Sequence, residues 1–390
     1  MVPSLSQLVK DHKDTLKTRP VCRARADQAP NGPLGALIGD ILDPYIQEAD
    51  CANRTEVIST EELCHVIEDT NKRITRAGLR VEPFQGAGNL VVGSKDAEGF
   101  YPNIDVDVAA EEAKLEIMES VVKVEGVNLE EVALFLACTM TQEEIDSEGL
   151  GHVVHKRSSN RGQRPGLTCK AITSGPKVRA EDRSWLPPSR KPGVRQAQKM
   201  VGCLVAVACR LMMKNHYHSY NNQIRKQAKG GAIGNSLTQK LGQLIMKRFD
   251  KKNNILLKKL KIETEMSKTY VDDNMVALKS LDPGVRFDPV GMKMVIKPEL
   301  IEQGKEVAED KRTMVELKKI ANTVYECVQF TTDCPSSQGR GVGKMPVLDL
   351  QVYVGDDGLI KYEFYEEPCS SQLVKPSNSA HSKQQKLSVQ

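Results

Sequence analysis

The chain has 390 residues and a mass of 43.2 kDa, more than one average domain, so two or three lobes are expected. Apolar residues make up 39%, aromatics 4% and charged residues 27%, which excludes a collagen, a coiled coil and a disulfide-built mini-protein. Net charge is only +4 but strongly segregated: residues 101–150 carry 2 Lys/Arg against 13 Asp/Glu, and residues 151–260 carry 24 against 3. Such a basic block repels itself unless a polyanion lies against it, and nucleic acid is the usual polyanion.

No run reaches the ~18 apolar residues of a membrane span; the nearest, 200–213, contains Arg210. Residues 1–16 carry Asp11, Lys13 and Asp14 where a secretory leader needs an apolar run,. The ten cysteines are scattered without a CxxC pair, so free thiols are expected rather than zinc. An intracellular protein, nuclear or cytoplasmic, with no membrane partner is the expectation.

In chain order, Leu90-Val91-Val92-Gly93-Ser94-Lys95-Asp96 reads as an apolar strand ending in an acid. Asn103-Ile104-Asp105-Val106-Asp107-Val108 alternates like a second strand,. Helices are expected over 111–122, 129–138, 200–213 and 236–249, the last with Leu237, Leu241, Leu244, Ile245 and Phe249 on one side,. Residues 151–199 read as a loop-rich basic insertion, with Pro187-Pro188 and Lys191-Pro192-Gly193. Two antiparallel hairpins follow, 268–271 with 275–278 around Asp272-Asp273-Asn274, and 346–354 with 359–365 around Gly355-Asp356-Asp357-Gly358,. Residues 370–390 read as a polar, disordered tail,. Helices mixed with hairpins favour an α+β fold.

The chemistry lies in the carboxylates. Tyr270-Val271-Asp272-Asp273 delivers two adjacent acids to a tight turn. A site for two Mg²⁺ ions needs oxygen ligands from at least two chain positions, so a third acid is required. Asp96 is one candidate, and Asp105 and Asp107 are rivals. His216 and His218 read as surface or groove residues, and Asp356-Asp357 as a plain hairpin turn.

At these residues the sequence resembles reverse transcriptases. Asp96 followed five positions later by Tyr101 is similar to motif A, and the wording Phe100-Tyr101-Pro102-Asn103-Ile104 resembles the Penelope-like branch of retroelements. Gln227-Ala228-Lys229-Gly230-Gly231-Ala232-Ile233-Gly234 resembles motif B, and Tyr270-Val271-Asp272-Asp273 resembles motif C. Asp11-His12-Lys13 with Thr18-Arg19-Pro20-Val21 resembles the fingers segment. Val328-Gln329-Phe330-Thr331 resembles the motif D region, and Val347-Leu348-Asp349-Leu350 resembles motif E.

The resemblance implies a right-hand polymerase palm, an antiparallel sheet backed by helices, with partial fingers and little or no thumb. The implied layout is 1–89 partial fingers, 90–150 palm with motif A, 151–199 basic insertion, 200–262 helices with motif B, 263–368 palm motifs C to E, and 369–390 tail. It implies an RNA-directed DNA polymerase using two Mg²⁺ ions, for which Mn²⁺ can substitute. Partners would be an RNA or DNA template with primer and deoxynucleoside triphosphates. Asp96, Asp272, Asp273 and the Ala97 carbonyl would hold metal, Tyr101 would act as a steric gate, and Lys13 and Arg19 would face the triphosphate. Gln227, Gly230, Gly231 and Gly234 would shape the contact with template and base pair. Motifs A and B lie farther apart than the family pattern, and the short ends lead to the expectation of a retroelement fragment. A catalytically inert, nucleic-acid-binding remnant is the alternative, and the oligomeric state stays open.

Overall fold

A computed structural model describes residues 4–10, 17–23, 32–47, 55–78, 83–120, 124, 126–154, 193–232, 236–337 and 343–364. In chain order its elements are β1 (Ser4–Lys10), β2 (Lys17–Arg23), α1 (Gly32–Ile46), α2 (Thr60–Ala77), β3 (Gln85–Ala97), α3 (Phe100–Asn103), α4 (Val106–Glu119), α5 (Leu129–Thr139) and α6 (Gln142–Ser147). Then come α7 (Val194–Lys214), β4 (Tyr217–Tyr220), β5 (Gln223–Lys226), α8 (Ser236–Lys259), β6 (Thr264–Tyr270), β7 (Asp273–Leu281), β8 (Val285–Asp288) and β9 (Lys293–Ile296). Last are α9 (Ile301–Glu306), α10 (Glu309–Ala321), β10 (Phe330–Asp333), β11 (Met345–Val347), β12 (Leu350–Val354) and β13 (Ile360–Phe364).

The result is an α+β fold with antiparallel sheets and packed helices. The central sheet runs β10-β3-β7-β6, every neighbour antiparallel. Side chains alternate across it. Leu90, Val92, Met275 and Ala277 bury against α2 and the three-stranded sheet β11-β12-β13, through Leu63, Ile67, Met345 and Leu350. Val91, Val276 and Leu278 bury on the other face against Met314, Leu317 and Ile320 of α10. The helices α1, α4, α5, α7 and α8 share a separate apolar core that meets the end of the sheet at Ala97 and Phe330. A second sheet, β2-β1-β4-β5, joins the N-terminal hairpin to the hairpin ahead of the Gln227 loop.

Several sequence expectations change here. The alternating stretch 103–108 is not a strand. Asp105 is the N-cap of α4, its Oδ1 accepting from the Asp107 and Val108 N–H groups at 2.9 Å each, so the helix expected from 111 starts at Val106. The helix expected over 200–213 is α7, whose first turn begins inside the supposed insertion at Val194. The stretch 346–354 is two strands, broken where Leu348 takes φ 52°. Residues 155–192 and 365–390, with the remaining basic insertion and the tail, lie outside the described residues.

Some of the segregated charges meet each other. On α4, Glu112 and Glu116 are buried, and both hold Arg248 of α8, at 2.8 and 3.2 Å. Lys247 and Lys251 also reach Glu116, at 2.9 and 2.8 Å, and Lys252 pairs with Glu112. Arg210 and Lys214 of α7 clamp Asp107 at 3.0 and 2.9 Å. Burial alone would raise the Glu112 and Glu116 carboxyls, but hydrogen bonds from these cations overcome it and hold both below the usual range. Part of the basic block is therefore neutralised by the acidic block, and total charge alone does not demand a polyanion. Removing one partner of a buried pair strands the other. Arg248→Met is therefore expected to destabilise the fold by about 3 kcal/mol, read as a lower urea midpoint. Lys251→Met, at a half-exposed position, should cost about 1 kcal/mol or less.

Candidate functional site

The site grows from one hairpin and one neighbouring strand. Tyr270 pairs with Asp273, closing a two-residue loop of Val271 and Asp272. The expected turn, Asp272-Asp273-Asn274, is thus shifted: Asp273 and Asn274 begin β7 instead. Val271 takes φ 57°, a conformation that tight hairpins normally give to glycine and that a β-branched residue resists. Strain of about 1–3 kcal/mol is typical of such positions.

Strand β3 runs antiparallel beside β7 with Asp96 directly opposite Asp273. The Glu98 N–H donates to the Gln329 carbonyl on the β10 side, and successive residues present their backbones to opposite flanks. Ala97 therefore turns its carbonyl toward β7, and Asp96–Asp273 is a pair of the type without mutual backbone hydrogen bonds, Cα atoms about 4.5 Å apart. Their side chains share one face, and both residues are exposed. The Asp272 loop adjoins them.

The opposite face of the same strand ends is sealed. Lys95, opposite Asn274, is buried, with its Nζ 5.7 Å from the centre of the Phe249 ring, itself stacked on Phe330. Asp250 accepts from the Thr269 hydroxyl at 2.7 Å, and Thr269 Oγ1 accepts from the Asn274 amide at 2.7 Å. Burial pushes the Lys95 ammonium down to about 8, against the pull of the Asp250 charge. Burial likewise pushes Asp250 up to about 6, opposed by Thr269 and Lys95. Sequence reading missed this set. Its trace was a lysine at a strand position that alternates with Asp96, and an acid next to Phe249 on an apolar helix face.

Tyr101, on the short helix α3, lies half-buried beside this end of the sheet. The backbone carbonyl of Tyr101 accepts from the Gly231 N–H at 2.8 Å, so the two motif-like segments touch. Gly230 sits at φ 71°, where a Cβ would overlap the Pro102 carbonyl. Gly242 of α8 was also missed. A Cβ there would come within 2.8 Å of the Tyr101 ring, and a glycine inside a helix was the signal. The Gln227 side chain donates to the Lys229 carbonyl at 2.9 Å, and Lys229 reaches Asn103 at 3.3 Å. His216 is buried, not a surface residue, and lines a small pocket with Gly230, Gly231 and Thr238. Burial, then the neighbouring His218, lowers its pKa.

Other expected residues fall elsewhere. Arg19 lies in β2 opposite Leu8, while Lys13 and Gly234 lie outside the described residues. The rivals for the third acid have structural partners: Asp105 caps α4, and Asp107 is held by Lys214 and Arg210, the Lys214 hydrogen bond lowering its pKa most. Among the described residues no three His, Cys, Asp or Glu side chains form a ready-made metal cage. What the register does bring together is Asp96 and Asp273, side by side on β3 and β7, with Asp272 in the adjoining loop.

Neither a scan of protein-family models nor a search of curated proteins returns a match. Similar solved structures include apo telomerase from Candida tropicalis, with TM-score 0.46 and 11% identity over 93% of this chain and 48% of that one. The same telomerase in complex with a TWJ fragment of telomeric RNA gives 0.45 and 12%, over 99% and 47%. Telomerase from Candida albicans with that RNA fragment gives 0.43 and 10%, over 93% and 47%. The chain spans about half the length of these structures.

The Gly230 contact is open to a direct test. Gly230→Ala must leave its left-handed backbone or push Pro102 away, so it is expected to destabilise by about 2 kcal/mol. The measure is a lowered melting temperature. Lys229→Ala, on the same loop, is the control and should leave stability within about 0.5 kcal/mol of the parent.

Proposed function

We propose that this chain is a template-directed polymerase domain of the reverse-transcriptase kind, extending a DNA primer on an RNA or DNA template. The observation that carries this reading is the register of β3 on β7. It sets two exposed carboxylates opposite one another, beside a third in an adjoining strained loop, at the place where the motif-like segments meet. The sequence wording around Phe100-Tyr101-Pro102 is the reason to place the domain in a Penelope-like retroelement, working in nucleus or cytoplasm. Among the described residues no helix is long and apolar enough to cross a membrane.

In this reading Asp96 and Asp272 would hold two Mg²⁺ ions, or Mn²⁺ in their place, with Asp273 and the Ala97 carbonyl assisting. Bound metal of this class lowers the pKa of a primer hydroxyl and neutralises phosphate charge. The 3′-hydroxyl oxygen loses its proton to solvent and bonds to the α-phosphorus of a deoxynucleoside triphosphate, the bond from that phosphorus to the β-phosphate bridge breaks, and pyrophosphate leaves. Tyr101, fixed through Gly231 and packed near Gly242, lies under the sugar and excludes a 2′-hydroxyl. Arg19 offers its planar fork to the phosphates and Lys13 a point charge. Gln227, with Gly230, Gly231 and Gly234, lines the base pair being formed.

Primer extension on an RNA template with Mg²⁺ tests the assignment. Asp96→Asn and Asp272→Asn are each expected to reduce extension by at least about 100-fold while leaving affinity for the primer–template duplex within about twofold. Equal extension by parent and Asp96→Asn would remove Asp96 from the site. The tyrosine makes a separate prediction. Tyr101→Ala should relax discrimination against ribonucleoside triphosphates by about 10–100-fold, read from the ratio of kcat/KM for the two sugars.

A further inference from the structure

Among the described residues strand β5 is the edge of its sheet, and all four of its residues are exposed. It pairs with β4 through a two-residue turn, Asn221 and Asn222, at φ 50° and 59°, the left-handed geometry that makes Asn a preferred hairpin residue. This ribbon shows its rings. Tyr217 is 45% exposed, Tyr220 43% and Ile224 67%. The Arg225 guanidinium lies 5.8 Å from the Tyr220 ring, and the Lys226 ammonium 6.0 Å from the Tyr217 ring. Residues 215–232 contain no Asp or Glu. Unlike the cations of α8, Arg225 donates to a neutral group, the Gln223 side chain at 3.1 Å.

A flat ring with a cation beside it matches a nucleobase with its phosphate: the base stacks and the charge meets the backbone. An acidic protein surface would satisfy the cations but give the two rings, set on alternate faces of a ribbon, no common apolar patch to fill. A duplex is excluded as the occupant by its own stacking, because its bases are already covered and only their edges and phosphates are offered. An unpaired strand has free faces. The position also fits. β5 runs straight into Gln227, whose N–H donates to the His216 carbonyl, and four residues later the Gly231 N–H reaches the Tyr101 carbonyl.

We propose that the β4–β5 hairpin is a stacking site for unpaired nucleotides of single-stranded nucleic acid, and that the strand it takes is the template ahead of the carboxylate site. Only the second clause rests on the polymerase reading.

The test is fluorescence anisotropy on the full chain, without metal or nucleotide, using a labelled unstructured RNA 12-mer and a blunt RNA–DNA duplex of equal length. Tyr217→Ala and Tyr220→Ala are each expected to weaken single-strand binding about tenfold and to leave duplex binding within about twofold. Tyr217→Phe and Tyr220→Phe should retain parent affinity, since the ring and not the hydroxyl does the stacking. An unchanged melting temperature confirms that the hairpin variants fold. Unchanged single-strand affinity in both alanine variants overturns the proposal, as does equal loss on single strand and duplex. If the parent chain extends no primer but the alanine variants still lose the single strand, the stacking site stands and the polymerase reading falls. If extension is robust and alanine variants bind single strands normally, the reverse holds.

Discussion

The pairing of β3 with β7 is the constraint on which the site depends. Because side chains alternate along a strand, a slip of one residue would carry Asp96 inward and expel Lys95. Apolar patterning resists that slip: Leu90 and Val92 fit one core, and Val91 fits the other. The buried polar set adds a stronger bias. Lys95 is buried on the side where the Asp250 charge draws on it, and Asn274 where Thr269 receives its amide. A buried ionisable group adds little net stability over apolar residues of the same volume. Here its consequence is positional, since the arrangement that satisfies Lys95 is the one that presents Asp96 beside Asp273.

Charge works differently on the two sides of the molecule. Across α4, α7 and α8 it is structural, joining parts of the chain far apart in sequence through Arg248 and Asp107. At the β4–β5 hairpin it faces outward, over aromatic rings and with no acid nearby in sequence. Counting lysines and arginines over 151–260 merges these two populations. The case for nucleic acid therefore rests on where particular cations stand, and the hairpin supplies it better than the block as a whole.

Legibility followed the range of the interactions. The hairpins expected at 268–278 and 346–365 were readable as hairpins because alternation is local, although the first turn lies one residue earlier and the second hairpin's leading strand is split, and the α8 face from Leu237 to Phe249 was readable from its period. The Asp105 cap was misread because the alternation over 103–108, which runs into the first turn of α4, looks the same as a short strand. Helix α7 was partly hidden because Pro and Arg composition masked its first turn. What no local pattern contains is register. That Asp96 stands opposite Asp273, 177 residues later by the numbering, is set by the whole sheet, and a motif resemblance was needed to prefer it over Asp105 and Asp107.

The loop at Val271 is the last fixed piece of this geometry. Two residues leave the hairpin almost no freedom, so the position of Asp272 follows from that of Asp273, which follows in turn from Asp96 across the ladder. A glycine at 271 would relieve the positive φ but widen the range of loop conformations. Valine is stiff at χ1 and holds a backbone it does not favour, which is tolerated only where the flanking pairs over-determine it. Tyr270 opposite Asp273 on one side and Asp96 opposite Asp273 on the other do so. A loop held this way keeps the Asp272 backbone in one place relative to the paired ends of β3 and β7.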